Sequence, residues 1–344
     1  MTNKKVLPLI FATLVIFSTM VSVVSPAFSA SMYSDYKYSV NTDNTITIDA
    51  YKGNSAKPDI PQKIQGKTVK TIGDYAFSGN LKVKEINIPD GVTTIGEGAF
   101  FNCTELNKVT MSETVKTVDD AAFFGCTRLD KLSLSDSIEY LGEGSFYYCD
   151  SLKTIELPAN LTKTGEYIFG YCRGLENVTI NDKLTTISPQ SFISCSALKS
   201  VKLHNNLKEI GRKAFMSCNA LADITIPESL DKINDDAFNG CYEFKVDNFK
   251  GSYLGSRALS GCKTSGIKLS ENLSYIGYEA FADSVMESMF IPASDINMAD
   301  GAFVHANISS YNVSDDNPYF TVKDGVLYSK DMTVLCAYPY LKEA

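Results

Sequence analysis

The sequence predicts a β-rich, curved solenoid of about eleven leucine-rich repeats, 21–23 residues each. Each repeat is read as a strand, a shorter strand and a short helical turn, with a β-hairpin capping the N-terminal end. Three observations predict it. Phe77, Phe100, Phe123, Phe146, Phe169, Phe192, Phe215 and Phe238 fall 23 residues apart without a slip. Three residues after a phenylalanine stands Cys103, Cys126, Cys149, Cys172, Cys195, Cys218 or Cys241, and six after it Leu106, Leu129, Leu152, Leu175, Leu198 or Leu221. A fixed period of about 20 to 29 residues marks a solenoid whose repeats bury their apolar faces only against their neighbours. Such architectures bind more often than they catalyse.

The elements follow in order. Residues 1–29 read as a secretory signal peptide: Lys4 and Lys5, an apolar stretch from Val6 to Val24, then the small residues of Ser25-Pro26-Ala27-Phe28-Ser29-Ala30. Cleavage after Ser29 or Ala27 fits the small-residue rule. The competing reading, an uncleaved membrane anchor, is weakened by Pro8 and several Ser/Thr within the stretch. Either way the chain is exported, to the medium or the cell surface. Losing Lys4 and Lys5 moves the formal charge from −8 to −10. Such an acidic chain lacks the clustered Lys/Arg that nucleic acid or anionic membrane requires.

Residues 30–68 depart from the repeat and read as the cap: Tyr36–Val40 and Thr45–Ile48 alternate about an Asn41-Thr42-Asp43-Asn44 turn. Residues 69–310 form the solenoid. Apolar pairs such as Val109/Met111, Leu132/Leu134, Ile155/Leu157 and Val201/Leu203 alternate with polar residues and give the first strand. Val92/Ile95, Leu207/Ile210 and Leu230/Ile233 give the second. A glycine (Gly73, Gly96, Gly142, Gly165, Gly211) then turns the chain, and Ala-Phe-x-x-Cys shares one face of a helical turn. The period slackens to 21 or 22 at Leu259, Phe281 and Phe303, with Cys262, Ser284 and Ala306 in the cysteine slot. Tyr242–Ser252 loses the strand pattern, so a bulge and a change of curvature are expected near residue 250. Residues 311–344 read as a β-hairpin segment. Their stop at Ala344, without a polar cap or attachment signal, suggests a natural chain that continues.

The unit Ile-x-Ile-Pro-x-x-Val-Thr-x-Ile-Gly-x-x-Ala-Phe-x-x-Cys-x-x-Leu, nearly whole in Ile86 to Leu106, resembles the BspA-like leucine-rich-repeat family. The resemblance covers about residues 36–340. Thr45 to Gly53 with Ile60-Pro61 looks like the family's opening, and Asp316-Asn317-Pro318-Tyr319-Phe320 with Asp324-Gly325-Val326-Leu327-Tyr328 like its β insertion. It implies a secreted or surface protein of a microbe, concerned with adhesion to host matrix proteins, host cells or other microbes. It carries no catalytic motif and no cofactor.

Enzymatic and metal chemistry find little support in the residues. Zinc needs close Cys/His pairs, whereas these cysteines stack one per repeat and His204 and His305 lie far apart. Export permits disulfides, but the count is odd, at nine, and side chains in a ladder point in parallel. Free, buried thiols are the expectation. Neither histidine lies in a hydrolase signature. Asp119-Asp120, Asp235-Asp236 and Asp315-Asp316-Asn317 lack the spacing of a calcium loop and read as turn residues and helix starters, while the remaining acids read as scattered over loops.

Two surfaces remain. The outward residues of the first strand, from Glu85/Asn87 through Lys131/Ser133 to Asp223/Thr225, are polar and mixed in charge. The positions one and two after the phenylalanine hold Phe101, Phe124, Tyr147, Tyr148 and Tyr171, then Ile193 and Met216. This stripe is the candidate partner-binding surface, and also a candidate for packing between turns. Replacing Phe146 or Leu152 by a charge is expected to unfold several coils, and Phe124→Ala or Tyr147→Ala to leave folding nearly intact. The predicted function is extracellular adhesion or protein interaction, with an extracellular or host-surface protein as partner. The alternative is a carbohydrate- or cell-wall-binding accessory module of a larger surface enzyme.

Overall fold

The computed structural model describes residues 31–33 and 35–339. The expected signal peptide lies outside them. The chain winds as a solenoid with three sides. The second strands stack as parallel two-residue rungs from Thr94–Ile95 through Thr117–Val118 and Tyr140–Leu141 to Asn297–Met298, interrupted once between Lys163–Thr164 and Thr186–Ile187. Pairing joins equivalent residues one repeat apart, such as Thr94 with Thr117 and Ile95 with Val118. The first strands stack likewise, in three parallel sheets. One sheet ends at Asp223–Ile224 and the next begins at Asn248–Phe249, so the ladder breaks where the repeat pattern fails.

The third side is not helical. Among the described residues no helix is formed, and the Ala-Phe segment is a staircase of tight turns. The residues two before and two after the core phenylalanine have positive φ: Tyr75 and Gly79, Gly98 and Asn102, Ala121 and Gly125, Gly144 and Tyr148, Tyr167 and Tyr171. Left-handed residues at those places make type II turns, as with Ala76 N bonded to Gly73 O and Asn80 N to Phe77 O. The intervening N–H groups then point along the solenoid axis. Phe77 N donates to Ala99 O at 2.7 Å, Phe100 N to Ala122 O at 2.7 Å and Asn102 N to Phe124 O at 2.7 Å. A helix would have kept those donors within one coil. The expected helical turn is corrected on this ground.

One phenylalanine per coil fills the core beneath the staircase. Rings from Phe77 to Phe238 stack with centroids 4.8 to 5.8 Å apart and planes within 23°. The eight repeat cysteines, Cys103 to Cys262, are buried and free, and so is the half-buried Cys336. Each repeat thiol donates to the carbonyl of the phenylalanine one coil back: Cys103 to Phe77 O at 3.1 Å, Cys126 to Phe100 O at 3.3 Å, Cys241 to Phe215 O at 3.0 Å. That carbonyl also accepts its own coil's turn hydrogen bond, as Phe100 O does from Cys103 N. A thiol thus fills both the volume and the second lone pair. Ser284, in the same slot, turns back to Phe281 O at 2.6 Å.

Where the period slackens, side chains exchange volume. Leu259 replaces phenylalanine in its column, and Phe244, in the leucine slot of the coil before, stacks on Phe238 at 4.3 Å. At the N-terminal end, Tyr36–Val40 pairs antiparallel with Ile46–Tyr51, which pairs parallel with Lys67–Ile72 and so forms the first rung. At the other end, Phe320–Lys323, Val326–Ser329 and Leu335–Ala337 make a three-stranded antiparallel sheet. Buried Asn317 holds it to the coils, donating to Pro292 O and accepting from Tyr319 N at 2.8 Å and Phe320 N at 2.7 Å.

Candidate interaction surface

The staircase presents the predicted aromatic stripe. Its geometry follows from the turns, because the inward positions hold the core column and the next residue must face outward. Phe101 and Phe124 stack at 4.9 Å and 15°, and Phe124 and Tyr147 at 5.2 Å and 21°. Tyr148 meets Phe124 edge-on at 6.0 Å, and Tyr171 lies 5.1 Å from Tyr148 and 5.3 Å from Tyr147. Tyr75 and Tyr167 extend the cluster, the first 6.5 Å from Phe101 and the second 5.9 Å from Tyr147. The Arg173 guanidinium sits 5.4 Å from the Tyr148 ring and 5.6 Å from that of Tyr171.

Four of the five predicted residues, Phe101, Phe124, Tyr148 and Tyr171, are half-buried. Tyr147 differs, being only 6% exposed. The cause stands one coil on: Gly170 has no side chain, and a Cβ there would lie 2.7 Å from the Tyr147 ring and 3.1 Å from Ile193. The Tyr147 ring occupies that space, so it serves packing. Burial, with Tyr148, Tyr171 and Tyr167 around it, pushes its phenol far above the ordinary tyrosine range.

Beside the rings runs a feature that the reading of scattered acids missed. Three residues before the core phenylalanine stand Asp74, Glu97, Asp120, Glu143 and Glu166, all exposed, in five consecutive coils. Asp74 and Asp120 each accept the backbone N–H of the next coil's acid, Glu97 at 3.0 Å and Glu143 at 2.7 Å. Burial, then Asp120 and Glu166, raises Glu143 above the usual carboxylate range; burial, then Asp120, does the same to Asp119. The Tyr75 hydroxyl donates to Glu97 at 2.5 Å. Aligning the repeats on phenylalanine would have revealed the ladder in the sequence.

The first-strand face is built differently. Some of its charges and of those beside it are partnered between coils: Lys57 with Glu85 at 3.1 Å, Lys199 with Glu176 at 2.8 Å, and Asp223 with the Ser200 hydroxyl at 2.9 Å. His204 accepts Asn206 N in a turn at 3.1 Å, and exposed His305 lies 3.8 Å from Asp283. Among the described residues no group of three His, Cys, Asp or Glu could hold a metal ion.

The comparisons agree with this architecture. The sequence profile of the BspA type leucine rich repeat region matches residues 44–175, 116–245 and 247–324 in six copies. A leucine-rich repeat protein from Bacteroides ovatus has a similar structure, at 26% identity and a TM-score of 0.67 over 83% of this chain and 72% of that one. The leucine rich repeat protein of T. pallidum is similar at 25% identity and a TM-score of 0.53, over 57% of this chain and 92% of that one. No curated protein matches the chain in sequence. With its profile matched across most of the described solenoid, the chain belongs to the BspA-type leucine-rich-repeat family.

Proposed function

We propose that this protein is an extracellular adhesion and protein-interaction scaffold without catalytic function, which contacts its partner through the staircase face around Phe101, Phe124, Tyr148 and Tyr171. The aromatic cluster carries the reading. Aromatic side chains half-exposed over consecutive coils form the kind of rigid, low-entropy surface that protein interfaces favour. Export rests on the signal-like residues 1–29, and the family's scaffold fold supports the binding role. The accessory-module alternative fits the geometry less well. A sugar stacks on an open ring face, and the faces of Phe101 and Phe124 are turned towards one another at 4.9 Å.

The test is binding of the purified mature chain to an array of matrix proteins and glycans, with Phe101→Ala/Phe124→Ala beside it. Saturable protein binding that the variant loses supports the proposal. Binding confined to glycans, or protein binding indifferent to the variant, sinks it.

A further inference from the structure

We infer that the staircase face of the first five coils is a docking surface for an extended, lysine- or arginine-bearing segment of a partner polypeptide. This rests on the reading of the aromatic cluster as contact surface and adds the chemistry of what binds there.

Two stripes begin and end together. The acids Asp74, Glu97, Asp120, Glu143 and Glu166 belong to the coils of Phe77 through Phe169. The rings of Tyr75, Phe101, Phe124, Tyr148, Tyr167 and Tyr171 belong to the same five. The rings are drawn from the positions two before, one after and two after the phenylalanine. In the next two coils the acidic position becomes Pro189 and Arg212, and those three positions carry no aromatic side chain. Acids and rings thus occupy the same run of coils and belong to one surface.

The acids and the rings lie side by side. The position after each acid holds small residues, Gly98, Ala121 and Gly144, with Tyr75 at one end and Tyr167 at the other. The Tyr75 ring lies over Gly98, where a Cβ would meet it at 2.4 Å, and joins the two sets, its hydroxyl donating to Glu97 at 2.5 Å and its ring meeting Phe101 edge-on at 6.5 Å. At the core column's ring spacing of 4.8 to 5.3 Å across these coils, the face runs about 20 Å, the length of about six extended residues.

Its charge is uncompensated. On other positions of these coils some acids pair with a cation one coil away, as Glu105 does with Arg128 at 2.6 Å, Glu139 with Lys116 at 3.0 Å and Asp150 with Arg173 at 3.6 Å. Among the described residues none of the five ladder acids is in an ion pair. Like charges repeated at coil spacing repel. Cations laid along the ladder relieve that repulsion while their aliphatic stems cover the ring edges. Arg173 against Tyr148 and Tyr171 shows that these rings accept a guanidinium.

The experiment follows fluorescence anisotropy of labelled heptapeptides titrated with the mature chain at 50 and 300 mM NaCl. The probes alternate alanine with lysine, acetyl-lysine or glutamate. We expect saturable binding of the lysine peptide, at least tenfold weaker at the higher salt, and none of the other two. Glu97→Gln/Asp120→Asn/Glu143→Gln should weaken it at least tenfold, and Glu156→Gln, on the strand face, should not. Equal binding of the glutamate peptide, or a folded triple variant that binds as wild type does, overturns the inference. Should the triple variant fail to fold, the peptide and salt comparisons on the wild-type chain decide alone. On the protein array, loss by the ring variant but not the charge variant overturns this inference and keeps the scaffold reading. Loss by the charge variant alone overturns the aromatic contact reading and, with it, this inference.

Discussion

The thiol column makes the solenoid sensitive to alkali in a way that can be counted. Burial pushes the thiols of Cys103 up to about 11 and of Cys241 up to about 12. It holds Cys126, Cys149, Cys195, Cys218 and Cys262 well above the ordinary range. In the unfolded chain the same groups ionise near pH ~8.5. Groups raised in the folded state stabilise it fully below the unfolded value, and that stability is lost as pH rises towards the folded one. At pH ~9.5 each unfolded thiol gains about 1.4 kcal/mol by ionising, and the folded one gains almost nothing. Seven such groups sum to about 10 kcal/mol, comparable with the whole stability of a domain. Urea denaturation under reducing conditions at pH 7.5, 8.5 and 9.5 reads this directly, since an unfolded tyrosine, ionising near pH ~10, gains only about 0.2 kcal/mol at pH ~9.5. Cys218→Ala should remove one thiol's share, about 1.4 kcal/mol, from the loss at pH 9.5. A midpoint that does not move between pH 7.5 and 9.5 would refute buried, protonated thiols. So would a Cys218→Ala chain with the wild-type pH dependence.

Three further outcomes are expected. Tyr147→Ala should destabilise by about 3 kcal/mol, because its ring fills the space over Gly170, whereas half-buried Phe124→Ala should cost about 1 kcal/mol; paired thermal melts compare them. Burial alone would raise Asp236, but Arg257, bonded at 2.7 and 3.2 Å, and Asn239 bring it below the usual carboxylate range. Its contribution is therefore present above pH ~4 and lost as pH falls further. Arg257→Ala should cost about 2 kcal/mol at pH 7, discounted for the half-exposed guanidinium, and flatten that acid limb in a pH series of melts. Asn317→Ala removes three hydrogen bonds, one buried and two partly so, about 3 kcal/mol. Amide exchange should then quicken in 320–337 while the coils from Phe77 to Phe238 keep their protection.

How much was legible depends on whether a position is marked by residue type. The phenylalanine, cysteine and leucine slots each demand one size of apolar side chain, so the register and the core could be read without coordinates. The turn staircase could not be read so easily. Its left-handed positions carry Tyr75, Asn102, Ala121, Gln190 and Lys213 as well as glycines, and an Ala-Phe-x-x-Cys spacing fits a helical face equally well. Glycines at Gly98, Gly144, Gly79 and Gly125 were the available signal. Tyr147 was misjudged because its burial depends on the missing side chain of Gly170, 23 residues on. In a solenoid the neighbour that decides exposure lies one period away.

That same displacement bears on the proposal that partners meet the staircase rather than the strand faces. Its N–H groups two before, at and two after each phenylalanine are given to the next coil, as from Tyr75, Phe77 and Gly79 to Glu97, Ala99 and Phe101. Backbone hydrogen bonds thus close each coil onto the next whatever the side chains are, and exposed positions in no ion pair among the described residues, such as Glu166, are less constrained by folding than Tyr147 or Asp236. The acidic position runs from Asp74 to Glu166 and then gives way to Pro189 and Arg212 while the turns stay alike. On the strand side, some exposed charges are committed to partners one coil away, as Glu176 is to Lys153 and Lys199. A change at such a residue disturbs a pair, whereas a change at an exposed staircase acid in no ion pair, such as Glu166, alters chiefly what the surface offers to a partner.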